Sequence, residues 1–559
     1  PWTQKLKGKA APERSNPGVL HGLVRLDRNS LLDLIKSCGK RKDLFTAKLI
    51  HAHVLNNDVL AKDTCISNAL LTMYTKCGAF CEALDVFQHT PSRNIVSWNS
   101  LISGYAQLGL GHEALHCFKQ MKHETNLSPN AVTFICVLKA CSTIRCAEMG
   151  EEIYAEVRKK GLLEENIILG NAVLDMYAKC NMLTKARQVF DELPTRDVVS
   201  WNSMITAYNQ HGHSNEALKC FRKMQEEALS PDLITYICVL KACGSIKSLR
   251  MGEEIYVTAT KQSILKDNIL FGTALVDMYG KCGRVRNAQE VFDELPMWNV
   301  ASWTALMSGY VQEGLADEAL TCFTKMQEEG FSPDAITFVS VLKACGSAGF
   351  LEMGEHIHTE ISKQGLLEKD IFLGTALVDM YAKCGVLQKA REVFHELSMQ
   401  NVTSCTALMA GYALLGEEKE VFDLFRDMVA EGMSPDLVIF VVLLSACSHA
   451  GLVKEGEKIF EEMFVYHLTP TLEHYTCMVD LFGRAGCFDT VNALLDKVPH
   501  SGHLPLLQSI LSSCNKWRNV KLGRWAFEQL VQLDEKSAAA YVCMGNIYAG
   551  AGIQRQVEY

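Results

Sequence analysis

The chain has 559 residues, 48% of them hydrophobic and 21% charged, and a formal net charge of −9. That balance agrees with a helical array, and no apolar run reaches the roughly 18 residues of a membrane span, so no membrane partner is expected. The 22 cysteines include no C-x-x-C pair, which removes the common zinc-cluster spacing. Most of them recur at one place per segment, which reads as reduced, buried packing rather than a disulfide framework.

Residues 1–27 stand apart from the rest of the chain. They are locally basic through Lys5, Lys7, Lys9, Arg14 and Arg25, and the chain starts at Pro1 without a Met. A fragment or a processed product is expected. The leader suits either the tail of an organellar transit peptide, against which Glu13 and Asp27 count, or an ordinary flexible terminus.

From residue 28 onward the chain repeats. Trp98, Trp201 and Trp303 lie 103 and 102 residues apart, and Cys141, Cys243, Cys345 and Cys447 are each 102 apart. Lys-Cys pairs begin at Lys76, Lys179, Lys281 and Lys383. The underlying block is Val198 to Asn299, made of segments of 35, 36 and 31 residues ending at Asp232, Asn268 and Asn299. A period of this length means stacked supersecondary units. The registers are 28–63, 64–94, 95–130, 131–166, 167–197, 198–232, 233–268, 269–299, 300–334, 335–370, 371–401 and 402–436. This array (28–436) is followed by variant units at 437–471 and 472–503, a more divergent helical pair at 504–537, and the start of another at 538–559.

Each unit reads as two helices. In the unit 198–232, Val199, Trp201, Met204, Ile205 and Tyr208 recur at helical spacing and Gly212 closes the first helix. Ser214 is expected to cap the second helix, Ala217, Leu218, Phe221 and Met224 form its apolar stripe, and Pro231 is expected to end it. Neither helix can bury its face alone, so units must stack, first helices on one side and second helices on the other.

The alternation, with VSWNSMI, VLKAC, GTALVDMY-x-KCG and VFDELP or close variants recurring in order, resembles the pentatricopeptide repeat family and, more narrowly, its plant P-L-S subclass. The runs ACSHAGLV at 446–453 and LEHYTCMVDLFGRAG at 472–486 resemble the variant units that close such arrays, and 504–559 resembles the extension motifs that come after them, the second one cut short. The resemblance implies an all-α fold, a right-handed α-solenoid superhelix of helix–turn–helix repeats. It also implies single-stranded organellar RNA as partner, one base per unit, read by the fifth and the last residue of the unit.

In the 35- and 31-residue units the fifth residues are Asn68, Asn99, Asn171, Asn202, Thr273, Thr304, Thr375, Thr406 and Thr476, and the last are Asn94, Asn130, Asp197, Asp232, Asn299, Asp334, Asn401 and Asp436, then His503, where the pattern departs. Confinement of the fifth slot to Asn and Thr is more than isolated helix capping requires. Asn supplies a donor and an acceptor, Thr a short hydroxyl, and Asp acceptors alone. The 36-residue units hold Leu32, Ile135, Ile237, Val339 and Val441 there, which cannot hydrogen-bond a base. By the resemblance, the second residues Val96, Ile168, Val199, Leu270, Ala301 and Phe372 clamp the base. Lys76, Lys179, Lys281, Lys383 and Arg484, thirteenth in the 31-type units, form a recurring cation row suited to phosphates. The family's pairing rules imply a target 5′-YYnUUnAGnAGn-3′, then the base at the unit 472–503, with an edited C after three more nucleotides.

No catalytic motif stands out. His358-Thr359-Glu360 matches half of a zinc deaminase signature, but the P-C-x-x-C half is missing and Tyr154 and Tyr256 fill the His358 slot in sister units. No cofactor is expected, and the chain is not expected to be an enzyme. The leading expectation is a specificity factor for C-to-U editing in a mitochondrion or chloroplast, the mitochondrion slightly favoured by the resemblance, with a cytidine deaminase domain or editing cofactor acting in trans through 504–559. A factor for RNA stabilisation, cleavage or splicing is the second expectation, and a protein–protein scaffold of tetratricopeptide type the third.

Overall fold

The computed structural model describes residues 27–90, 92–124, 127–261, 268–367, 370–498, 504–534 and 537–553. His503 and most of the basic leader lie outside them. The chain divides into two compact units, Pro1–Ala274 and Leu275–Tyr559. Each is an α-solenoid of helix pairs, and no strand occurs among the described residues.

In the first compact unit, Val198–Gln210 and Ser214–Glu226 form one pair. The first helix packs on its own second helix and on the first helices of both neighbouring repeats, Ile167–Lys179 and Leu233–Ser245. The second helix packs on the first helix of the next repeat. The second compact unit repeats this around Ala335–Ala348, which meets Val300–Gln312, Leu351–Lys363 and Ile371–Lys383. First helices are therefore enclosed on several sides and second helices form an outer layer.

Repeat length is set after the first helix. Second helices have 13 residues in the 35-residue repeat (Ser214–Glu226) and 10 in the 31-residue repeat (Leu183–Glu192). The 36-residue repeats add a short extra turn, as at Asp58–Ala61 and Leu162–Glu165.

Three of the joints from a 31-residue repeat to the 35-residue repeat after it are built on one plan. Trp201 is buried and meets Phe190 edge to face, ring centroids 4.7 Å apart. The Arg196 guanidinium sits over the Phe190 ring at 4.9 Å, and its Nε donates to the Phe190 carbonyl at 3.0 Å. Trp98, Phe87 and Arg93 repeat the arrangement. At the next occurrence Trp298 replaces the arginine, stacks on Phe292 and makes the same bond through its indole N–H at 3.1 Å. Such ring contacts add about 0.5–1.5 kcal/mol beyond area burial.

Four local expectations are corrected. Ser214 is not a cap; it is the first helical residue, and its cap His213 makes no side-chain bond. The Gly212–His213 turn is too short for an extended capping residue, and the Ser214 slot takes small side chains against the core, like Gly111 and Ala316 in sister repeats. Pro231 does not end the second helix. That helix stops at Glu226, with Ala228 at φ 57° and the Leu229 N–H reaching back to Met224 O at 3.2 Å. Asp27, read with the leader, caps Arg28–Arg41 by accepting from the Ser30 N–H at 3.2 Å. Finally, Cys141, Cys345 and Cys447 are core residues whose thiols burial pushes up to about 12, but Cys77, Cys180, Cys282 and Cys384 are only half-buried. These four follow the last residue of a helix, where the chain turns out of the core.

Candidate nucleic-acid interface

The last residue of each repeat is the N-cap of the next first helix. Asn94, Asn130, Asp197, Asp232, Asn299, Asp334, Asn401 and Asp436 all have extended backbone and accept through Oδ1 from the third backbone N–H of the helix they start. Seven of them form full capping boxes with a Ser or Thr at that third position. Asp436 does not, because Ile439 stands there. Capping uses one side-chain atom and turns the other outward.

The fifth residue meets this cap from the preceding repeat. Asn171 Nδ2 donates to Asp197 Oδ1 at 3.1 Å, and Asn202 Nδ2 to Asp232 Oδ1 at 3.0 Å. Asn68 with Asn94 (3.2 Å) and Asn99 with Asn130 (3.3 Å) do the same. Burial pushes the Asp197 and Asp232 carboxyls up, but the bonds from Ser200 and Asn171, and from Thr235 and Asn202, outweigh it and hold both below the usual carboxylate range. At neutral pH both are acceptors only.

The threonines behave differently. Thr273, Thr304, Thr375, Thr406 and Thr476 each donate to the carbonyl four residues earlier in their own helix, at 2.6–2.9 Å. Thr304 also lies 2.8 Å from the Thr337 hydroxyl, itself 2.8 Å from Asp334 Oδ1, so a hydroxyl bridges the fifth and last residues. Thr375 and Asn401 make no direct bond among the described residues.

The second, fifth, ninth and thirteenth residues of a first helix are spaced by three and four, so they share one face. The second residues are exposed apolar side chains: Val96, Ile168 (63%), Val199, Leu270 and Phe372 (74%), with Ala301 also exposed. At the far end of the face, Lys179, Lys281, Lys383 and Arg484 each pair with an aspartate four residues earlier, Asp175, Asp277, Asp379 and Asp480, at 2.7–2.8 Å. Lys76 has Thr72 at that place. These half-exposed pairs are worth about 0.3–0.5 kcal/mol each, weak enough for a phosphate to take the cation over.

Sequence reasoning missed three things. The 36-residue repeats, whose fifth residues Leu32, Ile135, Ile237, Val339 and Val441 are half-buried, expose the same second residue: Val132, Ile234, Ile336 and Val438. Their place two residues after each cap could have shown this. The third-position hydroxyls Ser97, Thr133, Ser200 and Thr235 are tied to the pairs of fifth residue and cap. The aspartates beside the cations were legible as D-x-x-x-K. The fifth-residue Asn of one repeat and the cap closing it are, by contrast, brought together, and His358 lies 2.9 Å from the Tyr381 hydroxyl.

Comparison with known proteins finds the repeats themselves. The PPR repeat family matches residues 93–143, 196–245 and 298–347, the pentatricopeptide repeat domain 398–448 and 423–485, and the PPR repeat 171–198, 273–300, 375–402 and 473–503. A mitochondrial pentatricopeptide repeat-containing protein of Arabidopsis thaliana is 34% identical over 540 residues, 96% of this chain and 77% of its own length. A chloroplastic one from the same plant is 35% identical over 525 residues, 94% of this chain and 64% of its own. Among solved structures, the pentatricopeptide repeat protein PPR10 from maize aligns over 97% of this chain and 90% of its own, at 16% identity and TM-score 0.48. PPR10 has also been solved with an 18-nt psaJ RNA element.

Proposed function

The chain belongs to the pentatricopeptide repeat family, and from that premise we propose that it binds one single-stranded RNA, each 35- or 31-residue repeat reading one base. The observation that carries the proposal is the shared edge on which an exposed apolar second residue stands beside a polar pair made by the fifth residue and the following cap. An apolar side chain offers a base a face to rest on. The amide, hydroxyl or carboxylate beside it offers donors and acceptors to the base edge. The cation row beyond would follow the backbone, and its ion pairs give way when phosphate arrives.

The preferred sequence is 5′-YYnUUnAGnAG-3′. The chain acts as the specificity part of C-to-U editing of an organellar transcript, with 504–559 as the surface toward a deaminase supplied in trans. The mitochondrial and chloroplastic names of its relatives support an organellar place. Binding of an RNA carrying this sequence, at stated salt, tests the reading. Changing both AG steps to GA should weaken binding, about 1–3 kcal/mol per mismatch, and Asp334→Asn with Asp436→Asn should move preference toward A at the two former G positions. Equal, salt-dominated binding to both RNAs would remove base reading from this protein.

A further inference from the structure

We infer that the third residue of each following repeat sets how freely the reading asparagine can turn to a base, so that Thr133 and Thr235 mark sharp reading positions and Ser97 and Ser200 blunt ones. The inference rests on the RNA reading above. Its natural comparison lies in two repeats with the same reading pair, Asn171 with Asp197 and Asn202 with Asp232, facing the fourth and fifth bases.

The two differ at the far end of the amide. The Ser200 hydroxyl stands 2.7 Å from Asn171 Oδ1 and 2.9 Å from Asp197 Oδ1, and by donating to the nearer amide oxygen it leaves both ends of that amide held by the protein. Thr235 keeps its hydroxyl on Asp232 Oδ1 at 2.8 Å, and Asn202 Oδ1 is buried without a partner in a side chain only 7% exposed. The same contrast recurs upstream. Asn68 Oδ1 takes the Ser97 hydroxyl at 2.6 Å, whereas Asn99 Oδ1, with Thr133 following, is buried and unpartnered. The added methyl of threonine restricts χ1, and its hydroxyl stays on the cap.

An unpartnered buried carbonyl is a cost carried by the free protein. Turning Asn202 outward relieves it, and a uracil, whose pairing edge has one N–H between two carbonyls, supplies both the donor and an acceptor. Turning Asn171 outward instead breaks the Ser200 bond before any base is gained. Identical reading pairs thus differ in reading strength by about one hydrogen bond.

The test uses the full chain and the RNA above, with U replaced by A at the fourth base only or at the fifth only. The fifth-base change should weaken binding about fivefold more than the fourth, the net worth of one hydrogen bond. Ser200→Ala keeps the backbone N–H cap on Asp197 and should raise the fourth-base penalty toward the fifth without moving the latter; Thr235→Ser should lower the fifth-base penalty alone. Equal penalties in the unaltered chain, unmoved by either substitution, would overturn the inference and leave RNA reading standing. No penalty at either base would overturn both. The comparison within the unaltered chain needs no variant to fold.

Discussion

At the scale of single residues, the proposal gives one side chain two tasks. Asp334 caps Ala335–Ala348 through the Thr337 N–H at 2.8 Å, and in the proposed RNA reading the same carboxylate is the last residue of a reading pair. The tasks can be separated. Asp334→Ala should lower the local opening free energy of that helix by about 1 kcal/mol, read by amide hydrogen exchange, because the cap is gone. Asp334→Asn keeps an acceptor for the cap and should stay within a few tenths of the unaltered chain while changing the base preferred. If the two substitutions destabilise alike, the side chain does not work as a cap. The fifth residues were legible because repetition exposed one slot confined to Asn and Thr. Their bonds were not, since a hydroxyl arriving from the next repeat leaves no periodic signal of its own.

At the scale of helices, close approach decides which residue is tolerated. Gly280 and Gly309, both within the second compact unit, face each other so closely that a Cβ on Gly309 would lie 3.0 Å from Gly280 Cα. On an isolated helix, Gly→Ala stabilises by about 0.5–1 kcal/mol. Here backbone stands in the way, and Gly309→Ala should instead destabilise, by about 1–3 kcal/mol. Gly545, inside Ala538–Gly550 with nothing within 4 Å of an added Cβ, is the control: Gly545→Ala should stabilise its helix. Urea unfolding of both variants checks the sign, and stabilisation by Gly309→Ala would contradict the close Gly280–Gly309 approach. Helix periodicity located these helices well. It misplaced the end of Ser214–Glu226, because the left-handed Ala228 terminates that helix before the conspicuous Pro231 is reached.

At the scale of the whole chain, three histidines couple folding to pH. Burial pushes His51, His358 and His474 below their ordinary value of 6.5. His474 is fully buried, its Nδ1 receiving the Thr471 N–H at 3.1 Å and its Nε2 facing Leu437 O at 2.9 Å, so the neutral ring is the fitting form. The unfolded chain takes up these protons first, so the unfolded state gains on the native one as pH falls below about 6.5. The thermal midpoint should therefore drop between pH 7.5 and pH 5.5. His51→Tyr and His358→Tyr, which install the residue that sister repeats carry at Tyr154 and Tyr256, should shrink that drop. A midpoint unchanged or rising on acidification would show that these rings are not held neutral.

Repetition in the amino-acid order alone determined the helix-pair architecture and marked the slots that recur at the start of each first helix. A side chain that recurs at one place in every repeat is under the same physical demand each time, and that demand can be read without coordinates. Tertiary structure alone decided how those slots use their atoms. Asn171 and Asn202 occupy the same place and pair with the same residue type, yet one amide is held at both ends and the other is left with a buried, unpartnered oxygen. That difference depends on angstrom-scale distances between a hydroxyl in one repeat and an amide in another, and distance between repeats is what a linear order of residues does not contain.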